Sequence, residues 1–452
     1  MTHDHASACP ARSRRRFLRD ASALLGAATL GTAAGAQTAS SYKALVCIFM
    51  LGGNDGHNTV VPMSTAAYNA YRTIRGGLAL PDGNTQLTTV TNPAGVPYGL
   101  NSGLNAIAPL WAQGKLAVVA NVGMLARPIT RAQYLDGSVR MPSNLFSHSD
   151  QIQQMQTADP NGGGIGWGGR SADAVQAQNG TSRFPPSISM AGNVLFSTGQ
   201  SVQSASLIPG FDLGMSGMAT WPESATAARR SGLNQLLAMD SGVALIQAAN
   251  KVRQDAISLN GLLAGNVGGN AFSTPFPGTE LGRQLEQVAK IIRLRGTTGI
   301  NRQVFFCSIG GFDTHSQQSW AQWDLLRNVA EAMNAFYAAT VEMGVASGVT
   351  TFTESDFGRT LQPSGSGSDH GWGNHHLVLG GAVRGGNVYG SFPFPALGGP
   401  DDANNRGVLI PSTSLDQYGA TLAKWFGVSA AAMAQVFPNL GYFSTSDLGF
   451  MG

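Results

Sequence analysis

The stretch that decides the fold is Tyr42–Leu51, YKALVCIFML, which runs directly into Gly52-Gly53-Asn54-Asp55-Gly56-His57. Apart from Lys43 it is a continuous apolar run. A run of this length that ends in glycines is typical of a strand buried on both faces of a parallel sheet. The stretch therefore predicts a central strand whose carboxyl end leads into a polar loop.

Further buried strands are predicted at Leu116–Val122, Val304–Ile309, Val349–Thr353 and, shorter, Leu377–Leu379. One helix is predicted from apolar residues that recur at helical spacing, namely Leu326, Val329, Met333, Phe336 and Thr340. Another is predicted over Leu100–Trp111. Strands that alternate with helices indicate an α/β fold with a doubly wound, mostly parallel sheet.

The composition changes between about residues 161 and 299. Asn161–Gly169 is rich in Gly and Asn266–Gly278 in Gly, Pro and Ser, and a helical pattern follows at Leu281, Leu285, Val288 and Ile292. We interpret it as a helical, loop-rich cap or insertion within a single domain over residues 37–452. With 59 glycines and only 12% charged residues in the chain, long loops are expected.

Residues 1–36 have the three parts of an export signal. The basic stretch Ser13–Arg19 contains Arg14-Arg15 and Phe17-Leu18, an apolar stretch of small residues follows, and Ala34-Gly35-Ala36 is a small-x-small cleavage site. Paired arginines ahead of a weakly apolar run predict the twin-arginine route, and hence a periplasmic or secreted protein.

This leader also accounts for the charge of the chain. It carries five arginines against two aspartates, which equals the net charge of +3 of the whole chain. The remainder is near neutral, so the sequence does not favour nucleic acid as a partner. No later stretch approaches the apolar length of a transmembrane helix, so no membrane span is expected.

Two cysteines remain after the leader, Cys47 and Cys307, and both lie in apolar runs. This placement predicts buried thiols. A disulfide between them is the alternative in an oxidising compartment, and sequence does not decide between the two.

Polar side chains suited to metal binding follow the predicted strands. In an open parallel sheet, ligands bind where the carboxyl ends of the strands meet. The polar segments are Gly53–Asn58, Gly311–His315, Thr353–Arg359 and Ser368–His376. All six histidines beyond the leader lie in or beside these segments or in Ser147-His148-Ser149. Carboxylates and imidazoles together are the ligands of zinc, manganese, iron or similar divalent ions. An isolated Asp after a strand is more often a turn or helix cap.

Several of these segments resemble the successive motifs of one family, the domain of unknown function 1501 family, a set of twin-arginine-exported bacterial proteins. The motifs are Phe49–Pro62, Phe312-Asp313-Thr314-His315, Phe357-Gly358-Arg359-Thr360, Asp369-His370-Gly371-Trp372 and, near the C-terminus, Leu409-Ile410-Pro411 with Asp416–Leu422. That family in turn resembles the alkaline phosphatase and sulfatase superfamily of metallohydrolases. The resemblance implies an alkaline phosphatase-like fold and a divalent metal, zinc, manganese or similar, as cofactor.

The resemblance also implies roles for individual residues. Asp55 matches the superfamily's first metal-binding aspartate, Asp313 and His315 resemble its Asp…His pair at a shorter spacing, and His370 resembles its last histidine ligand. Asp356 lies in Ser355-Asp356-Phe357-Gly358, which is similar to the Ser-Asp-His-Gly of sulfatases, with Phe357 in the position of a metal-binding histidine. These two departures leave one metal ion or a weakly bound pair as alternatives.

The candidate catalytic residues are Ser147 and Arg359. The superfamily's nucleophile is a Ser, Thr or modified Cys at a helix start, and Ser147 precedes a predicted polar helix over Gln151–Gln156. Its alternative role is a helix N-cap. Arg359 is a candidate for bidentate binding of an anionic group, with a structural salt bridge as the alternative. No cysteine lies at such a helix start, which excludes sulfatase chemistry of the formylglycine type.

Other polar and aromatic residues have open alternatives. His375 and His376 are expected either behind the metal ligands or in an exposed loop. Asp416 is expected to cap a C-terminal helix. Trp167 and Trp372 are expected either to line a sugar-binding mouth or to pack the bases of the loops.

Two functions follow from the pattern. One is a periplasmic metal-dependent hydrolase of a phosphate or sulfate ester, acting on a small molecule or polysaccharide. The other is a degenerate member of the fold that binds a ligand or protein partner without turnover.

Overall fold

The strand predicted at Tyr42–Leu51 forms β1, Lys43–Met50, at the centre of the largest sheet. The fold is that of a computed structural model, which describes residues 42–83, 85–209, 221–240 and 272–452 and individual residues between 242 and 261. The signal peptide predicted over residues 1–36 lies outside the described residues. The other strands of this sheet are β5 (Leu116–Gly123), β6 (Ser187–Ser189), β7 (Ala205–Ser206), β8 (Arg302–Ile309), β9 (Val349–Ser355), β12 (Asn374–Gly380), β13 (Val388–Tyr389) and β14 (Thr413–Ser414).

The sheet is mostly parallel, as predicted. Its order is β13-β5-β12-β9-β1-β8-β6-β7, with β14 beside β5. β1 pairs in parallel with both β8 and β9, whereas β12 runs antiparallel to its neighbours β5 and β9. The predicted short strand at Leu377–Leu379 is thus the middle of a seven-residue strand of opposite direction.

Smaller sheets and helices complete the described chain. A three-stranded sheet consists of β2 (Val60–Pro62), β3 (Leu87–Thr91) and β4 (Pro97–Asn101), and a hairpin of β10 (Arg359–Ser364) and β11 (Gly367–His370). The α-helices are α1 (Thr65–Arg75), α2 (Pro109–Ala112), α3 (Arg131–Asp136), α4 (His148–Thr157), α5 (Trp167–Val175), α6 (Glu223–Ala238), α7 (Glu280–Arg293), α8 (Arg295–Thr298), α9 (Gln318–Glu342), α10 (Leu415–Phe426) and α11 (Ala430–Val436).

Both faces of β1 are buried, which is what a doubly wound sheet requires. Alternate residues of the strand enter two separate hydrophobic clusters: Val46 and Ile48 pack with residues of α7 and α9, and Leu45 and Phe49 with residues of α5 and α10. The alternation follows from the two-residue period of a strand. All five apolar-face positions predicted for α9, from Leu326 to Thr340, are buried.

The two cysteines are free, buried thiols, as the first alternative predicted. Cys47 belongs to one hydrophobic cluster and Cys307 to the other. The register pairs Cys307 with Ile48 rather than with Cys47, so the two side chains point to opposite faces of the sheet. The disulfide alternative fails for this reason.

The helix predicted over Leu100–Trp111 is wrong. This stretch begins at the end of β4, continues as a 3₁₀ turn at Ser102–Ala106 and ends in the short helix α2. The Asn101 side chain accepts a hydrogen bond from Gly103 N and starts the turn. Pro109 has no N–H to continue a helix from the preceding residues.

Asp416 also differs from its prediction, because Ser414 is the N-cap of α10 and forms a capping box with Gln417.

The stretch of about residues 161–299, interpreted as a cap or insertion, contributes two strands to the large sheet. β6 pairs with β8, and β7 with β6. The helix predicted from Leu281 to Ile292 is α7, and all four of its predicted apolar positions are buried. Within the described ranges, no helix combines the length and apolar character needed to cross a bilayer.

Candidate metal centre

Four polar side chains meet beyond the carboxyl ends of the central strands. Asp313 and His315 follow β8, His370 ends β11, and His148 begins α4. Of these, Asp313, His315 and His370 were predicted as ligands. The strand ends meet at one edge because β1, β8 and β9 are parallel.

The three imidazoles point at one carboxylate oxygen. Asp313 Oδ1 lies 3.1 Å from Nε2 of His315, 3.4 Å from Nε2 of His148 and 3.5 Å from Nε2 of His370. The Nε2 atoms of His315 and His370 are 3.0 Å apart. Ligand atoms of His148, Asp313 and His370 all lie within 4.8 Å of one another, which is a spacing that one metal ion can bridge.

Each imidazole is held by an acceptor at its other nitrogen. His148 Nδ1 lies 2.7 Å from Asp356 Oδ2, His370 Nδ1 lies 2.7 Å from the carbonyl oxygen of Phe146, and His315 Nδ1 lies 3.4 Å from Asp369 Oδ1. Metal-binding histidines donate their second N–H to a carboxylate or carbonyl in this way, which orients the ring and raises its basicity. The arrangement is that of three ligands and the groups behind them.

The tautomers of two rings follow from these partners. A backbone carbonyl accepts and cannot donate, so His370 Nδ1 carries the proton and the neutral ring presents the lone pair of Nε2. The same holds for neutral His148, whose Nδ1 faces the Asp356 carboxylate. His148 Nε2 is buried and has no hydrogen-bond partner among the described residues. Lone pairs that face a carboxylate oxygen at this range repel it unless a proton or a cation lies between them.

The local charges perturb three of the groups. The hydrogen bond to Asp356 raises the pKa of His148 above its usual value despite partial burial. Burial lowers the pKa of His370, and the Phe146 carbonyl offsets this only in part. Burial alone would raise the pKa of Asp313, but the hydrogen bond and charge of Arg359, with His315 and His148, lower it. The site therefore contains an ionised carboxylate beside imidazoles of divergent basicity.

Asp356, predicted as a ligand, lies behind His148 instead. Its two carboxylate oxygens are each 3.1 Å from Gly52 N, and Oδ2 also faces His148 Nδ1. It is fully buried at the end of β9. Its contacts are those of a group that orients a ligand rather than of a ligand itself.

Asp55 is not brought into the cluster. Its carboxylate forms a buried ion pair with Arg75 and also accepts hydrogen bonds from Gln318 Nε2 and from His57 N. Arg75 is itself fixed by the carbonyl oxygens of Thr360 and Leu361. An arginine on α1, twenty residues along the chain, supplies the positive charge that the resemblance assigned to a metal ion.

Arg359 is fully buried and its guanidinium is committed to the protein. It donates to the carbonyl oxygens of Gly52, Gly53, Phe312 and Ser368 and to Asp313 Oδ1. These contacts join the loops after β1 and β8 to the β10–β11 hairpin. The structural alternative describes this residue, because these bonds use four of the five N–H groups and bidentate binding of a substrate anion needs two.

Ser147 lies between two residues of the site, Phe146 and His148. It occupies the N-cap position of α4, but its side chain makes no capping hydrogen bond. Its hydroxyl instead donates to Asp150 Oδ2 at 2.5 Å. Phe146 has a φ of +74°, in the left-handed region that aromatic residues rarely adopt. This strained residue directs its carbonyl to His370, so both sequence neighbours of Ser147 contact residues of the site.

Phe357 fills the space between two ligands. Its ring centroid lies 4.7 Å from that of His148 and 4.8 Å from that of His370. Gly53, with a φ of +80°, packs against the other side, where an added Cβ would come within 2.4 Å of the Phe357 ring. The position that a histidine has in sulfatases is therefore occupied by a packed apolar side chain.

His148 is the member of the cluster that sequence reasoning did not assign as a ligand. The available signal was its place in the polar segment Ser147-His148-Ser149, away from any predicted helix core. The exposed-loop alternative for His375 and His376 is wrong, because both are buried in β12. Trp167 and Trp372 are also buried, so the packing alternative is confirmed for both.

The chain matches the family described as "Protein of unknown function (DUF1501)" over residues 42–406. It belongs to this family. The matched range contains every residue of the cluster in this DUF1501 protein and ends before Leu409-Ile410-Pro411 and Asp416–Leu422, the C-terminal motif that also carried the resemblance. A comparison with curated proteins finds no match.

Solved structures similar to this DUF1501 protein include a sulfatase, a phosphonate monoester hydrolase and a synthase. The PsFucS1 sulfatase from Pseudoalteromonas sp. is 9% identical, with a TM-score of 0.33, 92% of this chain covered and 72% of that one. The phosphonate monoester hydrolase SpPMH from Silicibacter pomeroyi is 10% identical, with a TM-score of 0.30 and coverages of 86% and 74%. The lipoteichoic acid synthase LtaP from Listeria monocytogenes is 6% identical, with a TM-score of 0.33 and coverages of 87% and 74%. Similarities of this size carry no argument about activity.

Proposed function

We propose that the protein is a metal-dependent hydrolase of a phosphate or sulfate ester, with one divalent ion held by His148, Asp313, His315 and His370. The observation that carries the proposal is the convergence of three Nε2 atoms within 3.1–3.5 Å of Asp313 Oδ1. Acceptors lie beyond all three rings, as is usual for metal-binding histidines. The unpartnered, buried Nε2 of His148 fits the same conclusion.

Three imidazoles and one carboxylate suit a borderline ion such as zinc or manganese better than magnesium or calcium, which prefer oxygen ligands. When bound, such an ion polarises an ester oxygen and lowers the pKa of water. The protein's own part is to orient His148 through Asp356 and His370 through the Phe146 carbonyl. Asp313 supplies the negative charge that the ion needs.

A single ion is expected rather than a pair. Asp55 is neutralised by Arg75, and Phe357 contributes packing where a further histidine would be needed. Because neither residue is available as a metal ligand, the remaining ligands support one metal ion in each molecule.

Ser147 is the candidate nucleophile, and a water molecule is the alternative. The 2.5 Å hydrogen bond from the Ser147 hydroxyl to Asp150 gives the proton an acceptor, as an activated nucleophile requires. The start of α4 would also favour negative charge developing on that oxygen. Replacement of Ser147 by alanine separates the two: loss of turnover with metal retained identifies the serine, and unchanged turnover identifies water.

A second candidate function is metal-dependent binding without turnover. It is favoured by Arg359, which is fully buried and has too few N–H groups left to bind an anionic substrate group bidentately. Under this alternative the ion would organise the loops for a ligand or protein partner. Metal content would then match that of the hydrolase, and no ester would be turned over.

The test is elemental analysis of purified protein together with a panel of phosphate and sulfate esters. We expect about one zinc, manganese or similar ion in each wild-type molecule, and little in His370→Ala or His148→Ala. Asp136→Asn is the matched control, because Asp136 ends α3 at the surface and is outside the cluster. The control should retain the metal.

The outcomes separate the candidates. Metal with turnover supports the hydrolase, and metal without turnover on any ester of the panel supports the binding protein. No metal in protein purified without chelators, and none taken up on addition of zinc or manganese, contradicts both.

We also propose that the protein acts outside the cytoplasm. The support is the order of the basic stretch with Arg14-Arg15, the apolar stretch and Ala34-Gly35-Ala36. N-terminal sequencing of the exported protein should find a start near Gln37, and the Arg14→Lys, Arg15→Lys double variant should remain in the cytoplasm. An intact leader on exported protein, or normal export of that variant, would contradict the proposal.

A further inference from the structure

Trp320 is a large apolar side chain that is 69% exposed, close in sequence to a cluster ligand. It lies on the first turn of α9, five residues after His315. Its indole stacks on Trp323, with ring centroids 5.0 Å apart and an interplanar angle of 27°. Trp323 is held in turn by a 3.1 Å hydrogen bond from its Nε1 to Ser102 Oγ. One face of the Trp320 indole therefore packs on a side chain that is itself held in place.

An open groove of about 650 Å³ runs beside this indole. The start of α9 provides one wall and the turn of the β10–β11 hairpin the other, with Leu78 at the base; lining side chains include Gln317, Ser319, Trp320, Pro363 and Ser366. None of the residues that line the groove is charged. A ligand with both apolar faces and hydroxyl edges, and without charge, matches such a lining.

The two walls of the groove lead along the chain to residues of the metal cluster. The segment that carries His315 leads into the α9 wall, and the hairpin that carries His370 forms the other. Gln318 N donates to Ser366 O at 3.1 Å and Gln317 N donates to Ser366 Oγ at 3.0 Å, which ties the walls together. The groove and the cluster are therefore built from the same two segments of the chain.

We infer that this groove binds the uncharged saccharide part of the ester substrate, with a sugar ring stacked on Trp320. A pyranose ring has C–H groups on its faces, which pack on an indole, and hydroxyl groups on its edges, which hydrogen-bond to the Gln317 amide and the Ser319 and Ser366 hydroxyls. The inference rests on the proposed function, since it names the substrate class of that site. An uncharged lining disfavours an anionic polymer or a lipid headgroup.

The test measures binding of neutral oligosaccharides, which carry no phosphate or sulfate ester, to the mature protein as purified, so that its result does not depend on turnover. Cellohexaose, chitohexaose and maltohexaose are titrated while tryptophan fluorescence is recorded, with calorimetry as a second readout. We expect saturable binding of at least one of them and a loss of at least tenfold in affinity for Trp320→Ala. Trp221→Ala is the matched control, because Trp221 is also exposed, at 83%, and does not line the groove.

The results distinguish this inference from the proposed hydrolase. Saccharide binding that needs Trp320 and not Trp221 supports the groove even if no ester is hydrolysed. Failure of all three oligosaccharides to bind, or equal losses in the two tryptophan variants, overturns the saccharide site whatever the metal analysis shows. Wild-type self-association that Trp320→Ala abolishes, measured by sedimentation, would assign the surface to a second copy of the chain and also overturn it.

Discussion

Replacement of Asp356 by asparagine tests whether the histidines of the cluster are metal ligands held from behind. The carboxylate is fully buried and lies 2.7 Å from His148 Nδ1. Asparagine has nearly the same shape and keeps an acceptor for Gly52 N, so the change removes the charge behind the ring. Loss of such a group costs roughly 10- to 100-fold in metal affinity, which is about 1.4–2.7 kcal/mol.

Asp369 offers a matched comparison on another ligand. Its Oδ1 is 3.4 Å from His315 Nδ1, which is long for a hydrogen bond, and its side chain is 34% exposed. Asp369 also pairs with Arg406 through its second oxygen at 2.6 Å. Because solvent screens the charge and the contact is weaker, Asp369→Asn should lower metal affinity by only about threefold or less.

The assay is competition of zinc between the protein and a chelating dye. At pH 8 both variants are compared with wild type, since protons compete less with the metal for imidazole nitrogens at higher pH. A second series lowers the pH. The hydrogen bond to Asp356 raises the pKa of His148, so protons should displace metal from wild type as the pH falls through that raised value. In Asp356→Asn the same loss should begin at a lower pH.

Two results would refute the reasoning. One is wild-type affinity of Asp356→Asn at pH 8, within about twofold, which would mean that His148 is not a ligand. The other is an equal loss in Asp369→Asn, which would mean that the effect reflects general negative charge rather than orientation of one ring.

Three further substitutions test the structural roles of buried polar groups. Arg359→Lys should lower the free energy of unfolding by about 3–5 kcal/mol in chemical denaturation, because lysine cannot satisfy four carbonyls and Asp313; unchanged stability would contradict this. Burial raises the pKa of Asp416 from 3.8 to about 7, so the folded state binds the proton more tightly and wild-type stability should fall as pH rises from about 4 to about 7. Asp416→Asn should lack this fall. In thermal unfolding, its free energy of unfolding should exceed that of wild type by at most about 4 kcal/mol at pH 8 and by little at pH 4. An equal pH dependence in the two proteins would contradict the prediction. Burial also raises the pKa of Glu354 well above its usual value, which favours the neutral form, so Glu354→Gln should change the unfolding free energy by less than about 1 kcal/mol; a larger loss would show that the charged form matters.

The sequence by itself determined the elements whose signal is local. The apolar run of β1, the helical spacing from Leu326 to Thr340 and the burial of both thiols follow from periodicities within a few turns or residues. Polar groups at strand ends also predicted the cluster in part, because parallel strands bring their carboxyl ends to one edge. Asp313, His315 and His370 were found for this reason.

Only the tertiary structure decided which polar groups meet and which are neutralised. His148 contacts Asp356, which lies 208 residues further along the chain. Asp55 is paired with Arg75 of α1, and nothing in the motif around Asp55 indicates this partner. The direction of β12 and the carbonyls around Arg359 likewise depend on which segments become neighbours. A residue type sets what a side chain is able to bind. The packing of distant segments sets which partners it meets, and therefore whether it is available for a ligand or already bonded to protein atoms.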